Sequence, residues 1–138
     1  MSAVFRLAII TAERVFYDGD AEMLVLPSPD GEIGIMAGHE PMVISSIEGE
    51  IHIRKDGQNR WAAASAGFAT VTRDEVLLML QTAEWPEEID VNRAEHEKEE
   101  AEEIMRQKQS MQEYAMTRSM LARAMVRLRL TKDSSDTK

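Results

Sequence analysis

Apolar and polar residues alternate in short runs over the first 86 positions, and the period then lengthens to that of a helix. Val4 to Ile10, Ala21 to Leu26, Gly49 to Arg54, Trp61 to Ala66 and Glu75 to Leu80 have the length and composition of strands. Turn-forming sequences separate them: Tyr17-Asp18-Gly19-Asp20, Pro27-Ser28-Pro29-Asp30-Gly31, Lys55-Asp56-Gly57-Gln58 and Thr72-Arg73-Asp74. Strands this short and closely spaced predict an antiparallel sandwich or barrel. A parallel pair would need a crossover of a dozen or more residues, which the short separators do not provide.

All seven glycines, from Gly19 to Gly67, and all four prolines, the last being Pro86, lie in this first part. After Pro86 no residue breaks a helix by backbone chemistry. Leu121, Ala124, Met125 and Leu128 recur at helical spacing, with Thr117 and Tyr114 one and two turns earlier. Asp90 is a predicted N-cap, and Ser110-Met111-Gln112-Glu113 matches a capping box that opens a second helix. The expected fold is α+β in two domains. Residues 1–86 form the β-sandwich or barrel, and residues 87–138 form an antiparallel helical hairpin. Its helices cover about 90–109 and 111–131, and Thr131 to Lys138 form a frayed polar tail.

Charge changes this picture in the helical part. The formal net charge of the 138 residues is −9, which argues against non-specific binding to nucleic acid or anionic membranes. Residues 90–113 carry 8 acids and 4 bases, whereas 114–138 carry 2 acids and 6 bases. An acidic first helix and a basic second helix attract when they fold against each other. The apolar stripe of the first helix is thin (Val91, Ala94, Ala101, Met105), and Glu95, Glu97, Glu99, Glu100, Glu102 and Glu103 form a solvated face. Such a hairpin is only marginally held, and with no glycine or proline between its helices it can open into a longer one. The segment is a candidate switch. Met105 and Met125 are expected in the hairpin core. Met116 and Met120, interleaved with Arg118, Arg123, Arg127 and Arg129, suit an acidic partner.

The remaining chemistry is sparse. There is no cysteine, which excludes disulfides and thiol catalysis. His39, His52 and His96 stand at no metal-ligand spacing, and Ser45, Ser46 and Ser65 lack a nucleophile-elbow context. Asp30-Gly31-Glu32-Ile33-Gly34-Ile35 has too few glycines and no lysine for a phosphate loop. No run spans a bilayer, and the first residues do not form a signal peptide. A binding or regulatory protein without catalytic residues is expected, of which a free-standing nucleotide-sensing module or adaptor is one form.

Several blocks carry a more specific resemblance. They are Phe5-Arg6-Leu7-Ala8-Ile9-Ile10-Thr11-Ala12-Glu13, Phe16-Tyr17-Asp18-Gly19, Ile47-Glu48-Gly49, Ala66-Gly67-Phe68-Ala69-Thr70-Val71 and Ile89-Asp90-Val91-Asn92-Arg93-Ala94. The most specific is Pro29-Asp30-Gly31-Glu32-Ile33-Gly34-Ile35-Met36-Ala37-Gly38-His39-Glu40-Pro41. Over nearly its full length the chain resembles the epsilon subunits of bacterial F-type ATP synthases.

The resemblance implies a sandwich of ten strands at the base of a rotor, on the cytoplasmic side of the cell membrane, peripheral and without membrane insertion. It implies contacts with a gamma subunit and a c-subunit ring, Glu32 falling at the ring contact and His39 near gamma. The helices would regulate: compact against the sandwich, or extended into the catalytic alpha/beta hexamer to oppose ATP hydrolysis. Arg118, Arg123, Arg127 and Arg129 would then meet an acidic segment of a beta subunit. Some members bind ATP in the compact state, through a signature similar to Ile89, Asp90, Arg93 and Ala94 with Arg123, Arg127 and Glu84. The sequence departs from theirs at Glu100, where ATP binders usually have arginine. ATP is thus a candidate regulatory ligand, and no other cofactor is expected.

Overall fold

Alternation decides which side of each strand turns inward. A computed structural model describes the backbone of residues 3–106 and 111–136, and the side chains of these except 111–114 and 133–136. The strands are β1 (Phe5–Ile10), β2 (Val15–Ala21), β3 (Met23–Ser28), β4 (Gly31–Met36), β5 (Met42–Ser46), β6 (Gly49–Lys55), β7 (Gln58–Ala64), β8 (Gly67–Val71), β9 (Glu75–Leu80) and β10 (Ala83–Glu84). They build two five-stranded sheets, ordered β2-β1-β9-β8-β5 and β10-β7-β6-β3-β4. Leu7 and Ile9 of β1, Leu24 and Leu26 of β3, Ile51 and Ile53 of β6 and Leu78 of β9 fill the space between the sheets, fully buried. Each recurs at every second position, as the pleat requires.

Two features depart from the sequence expectation. Tyr17-Asp18-Gly19-Asp20 is part of β2 rather than a turn. β2 is an edge strand, where polar residues and glycine are tolerated, and Arg6 of β1 holds Asp18 across the pair at 2.5 Å. The pairing is antiparallel throughout except that β1 and β9 run parallel. The crossover this needs is supplied by the whole stretch from β2 to β8, which visits the other sheet and returns. The Asp56-Gly57 turn behaves as its sequence demands. Both residues have positive φ, 53° and 73°, the geometry that closes a two-residue hairpin between β6 and β7.

After β10 a short 3-10 turn (Pro86–Glu88) leads to α1 (Val91–Met105) and then α2 (Met111–Asp136). Asp90 caps α1, its Oδ1 accepting from the Arg93 amide at 3.0 Å. The expected capping box at Ser110 lies outside the described residues. α2 does not fray at Thr131; the helix continues to Asp136, since nothing in the sequence interrupts it. The two helices pack on small residues, Ala94 and Ala101 against a face containing Thr117 and Ala124, all buried. Met125 does not enter that core. It is 51% exposed, one residue and so about 100° around α2 from buried Ala124, on the side turned to solvent.

Candidate functional site

α2 lies across β6 and β7 and the 3-10 turn, and its seam with the sandwich is mainly ionic. Arg123 Nη1 stands 3.5 Å from Glu48 Oε1, and Arg129 Nε donates to Glu50 Oε1 at 3.0 Å. Ser119 Oγ also donates to Glu48. Arg127, only 20% exposed, is held twice. Its Nε donates to Glu84 Oε1 of β10 at 2.5 Å, and its Nη1 donates to Glu97 Oε2 of α1 at 3.2 Å. The apolar part of the seam is small: Ala63, Ile89 and Leu130, with Val126 beside them. Attraction between an acidic and a basic helix is therefore realised at the Glu97–Arg127 pair, while the other two arginines engage glutamates of the sandwich.

Beside Arg127 a cavity of about 440 Å³ opens between the sandwich and α1. Glu84, Asp90, Arg93, Ala94 and Arg127 line it, five of the seven residues named from the sequence for nucleotide binding. Ile89 is buried beneath the helices instead, and Arg123 points into the seam against Glu48. Glu100, flagged as the unfavourable charge, does not line the cavity and stands 3.9 Å from His96. The carboxylate that does line it from α1 is Glu97, one turn earlier.

The opposite wall holds Arg14, which grips Glu88 with two bonds of 2.7 Å and donates to the Ala83 carbonyl at 3.2 Å. The Arg14 guanidinium pulls the Glu88 carboxyl below its ordinary range, and the same bond raises Arg14. Glu88 also accepts from the Trp85 amide at 2.9 Å. Trp85 stacks on Phe16 with centroids 4.2 Å apart; Arg14 covers the Phe16 ring and Arg60 covers Trp85. This four-layered stack fastens the entry to the helices onto β2 and β7. The helical arm thus has a rigid root and an ionic outer seam.

The remaining predicted contacts lie elsewhere. Glu32 is exposed in edge strand β4 rather than in a loop, and His39 follows the other end of that strand beyond the Ala37-Gly38 turn, so most of the length of β4 separates them. His39 Nδ1 lies 3.1 Å from the Glu40 carbonyl, and Gly38 N donates to the Arg73 carbonyl at 3.3 Å, tying this segment to the β8–β9 turn. Arg118 is exposed, as are Met116 and Arg129. Sequence reasoning missed Glu48, Glu50 and Arg14. Nothing in a strand's alternation distinguishes a glutamate under a helix from one in water.

Comparison with known proteins places these features in a family. Residues 4–86 match the family model for the ATP synthase delta/epsilon chain beta-sandwich domain, and residues 87–132 match that for its long alpha-helix domain. An ATP synthase epsilon chain from Caldanaerobacter subterraneus subsp. tengcongensis is 44% identical over 131 residues, covering 94% of this chain and 95% of that one. Another from Alkaliphilus oremlandii is 49% identical over 102 residues, 74% of this chain and 76% of that one. In fold the chain is similar to one in the mitochondrial ATP synthase of Euglena gracilis, with a TM-score of 0.69 at 20% identity over 99% of this chain and 82% of that one. A chain of the Tetrahymena thermophila central stalk and c-ring gives 0.69 at 9% identity, over 94% and 98%.

Proposed function

We propose, from the premise that this chain belongs to the ATP synthase delta/epsilon chain family and is similar to its bacterial epsilon chains, that it is a non-catalytic rotor subunit with a releasable regulatory arm. The sandwich, residues 1–86, joins gamma and the c-subunit ring and transmits ion-driven rotation to ATP synthesis. The helical part, residues 87–138, restrains ATP hydrolysis when it leaves the sandwich and reaches the alpha/beta hexamer. The protein works on the cytoplasmic side of the membrane as a peripheral component; no helix among the described residues is long and apolar enough to cross one.

The observation that carries this reading is the chemistry of the seam. Three arginine sites and four glutamates hold α2, with few apolar side chains beneath it. Ion pairs at a partly wet surface contribute modestly and exchange readily for other acidic partners, whereas an apolar interface would not. The same arginines that close the compact form thereby become free to meet a beta subunit, with Arg118 already exposed. ATP in the cavity of Glu84, Asp90, Arg93 and Arg127 would bridge the root of α1 to α2 and favour the compact form.

The outer face of the other sheet supports docking to gamma. In register across β8, β9, β1 and β2 lie Phe68, Met79, Ile10 and Val15, all exposed, with Val43 on edge strand β5 at 73%. A continuous apolar row of this kind on a rigid sheet marks a protein interface. Glu32 and the His39 segment border the sandwich at β4 and before β5. Phe68→Glu should fold normally, since Phe68 is 55% exposed, and should weaken association with gamma about tenfold or more. Co-purification of tagged chain with gamma and the c-ring measures this. Full retention of both partners by the variant would rule out this face as the rotor contact.

A further inference from the structure

Glu97 projects from α1 between two arginines of different helices. Its Oε1 accepts from Arg93 Nε at 3.1 Å, and its Oε2 accepts from Arg127 Nη1 at 3.2 Å. Arg127 is taken from its other side by Glu84, and Arg14 across the cavity is taken by Glu88. All three guanidiniums that line the cavity are therefore already paired, and the lining as a whole counts five carboxylates against these three cations. An entering anion meets guanidiniums that already hold carboxylates, Arg93 through its Nε alone, and is opposed by the surplus of negative charge.

A carboxylate with one oxygen on each of two guanidiniums does what a bridging phosphate does: it supplies two acceptors at charge-assisted distances and links the groups that bear the donors. We propose that Glu97 is a built-in anionic ligand, seated where a phosphate would lie between Arg93 and Arg127. It joins α1 to α2 without nucleotide, and a phosphate must displace it to bind. The inference rests on the reading of this cavity as the nucleotide site and adds to it an internal competitor. Glu97 is half-buried while its helical neighbours Glu99 and Glu100 are exposed, which separates it from the solvated acidic face of α1. The compact form of this chain is accordingly self-latched, with a weak response to ATP.

The test uses the full chain, as wild type, Glu97→Gln and, as a control of equal charge change, Glu99→Gln. Each is titrated calorimetrically with inorganic tripolyphosphate and, separately, with ATP. Glutamine keeps the shape of Glu97 but gives up the charge, so tripolyphosphate should bind Glu97→Gln about tenfold or more tightly than wild type, with Glu99→Gln unchanged. Adding Arg127→Ala to Glu97→Gln should abolish the gain. Equal affinity of wild type and Glu97→Gln for tripolyphosphate, including no detectable binding to either, overturns the proposal, as does an equal gain in Glu99→Gln. The nucleotide reading fails separately if Glu97→Gln gains tripolyphosphate binding but holds ATP no more tightly than tripolyphosphate.

Discussion

Arg127→Ala should release α2 from the sandwich while leaving the sandwich itself intact. The substitution deletes bonds to Glu84 and Glu97 at once, and it leaves two partly buried carboxylates facing one another across the cavity. Losing one partner of a buried ion pair costs about 3–5 kcal/mol. The flanking glutamates here are more than a quarter exposed, so water recovers part of that, and about 2 kcal/mol is the expected effect on docking. That corresponds to roughly thirtyfold in the equilibrium between docked and released helices. Once undocked, α2 loses the packing that stabilises it, and its own hydrogen bonds open readily. Hydrogen exchange should show amides of α2 opening about thirtyfold more often, with β1, β6 and β9 unaffected. Uniform acceleration over the whole chain would mean instead that helices and sandwich form a single cooperative unit.

Gly67→Ala should damage the sandwich more than any surface change. Gly67 begins β8 opposite Leu80, and a Cβ placed there would lie 2.0 Å from the Met79 carbonyl oxygen and 3.0 Å from a Leu80 methyl. The obstacle is backbone of β9, which is hydrogen-bonded on both sides by β8 and β1, so it cannot move without loosening the centre of the sheet. A cost of about 3 kcal/mol or more is expected, lowering the unfolding midpoint by roughly 15 °C. Gly34→Ala is the matched control, since its added Cβ meets nothing within 4 Å. Thermal unfolding followed by circular dichroism should separate the two variants clearly. Similar midpoints would show that β8 and β9 shift apart more easily than their pairing implies.

Much of the sandwich was legible because its signals are local. Leu7, Ile9, Ile51 and Ile53 face inward by alternation alone, and Asp56-Gly57 admits only one kind of turn. Asp90 was identifiable as a cap for the same reason. The parallel pairing of β1 with β9 was not, since it depends on how seven intervening strands are shared between sheets. The helical part was less legible still. With a thin apolar stripe, the orientation of each helix is set by charges whose partners lie far away in sequence: Glu48 with Arg123, Glu50 with Arg129, Glu84 with Arg127. A run of glutamates on α1 looked uniform, yet Glu97 faces the cavity and Glu100 does not. That difference comes from three-dimensional placement, and the charge pattern gave no sign of it. Met125 shares the helical period of Leu121 and Leu128, yet the buried face of α2 runs through Thr117 and Ala124 and leaves it exposed.

The ionic seam as the gate of the regulatory arm is tested most directly by ATP hydrolysis in the assembled enzyme carrying Glu48→Gln together with Glu50→Gln. These changes remove the sandwich partners of Arg123 and Arg129 but leave every arginine of α2 and the lining of the cavity in place. Hydrolysis is expected to fall several-fold relative to the wild-type enzyme, because the arm is released with its basic face ready for the hexamer. Unchanged hydrolysis, with α2 amides of the same variant exchanging faster in the free chain, would contradict it.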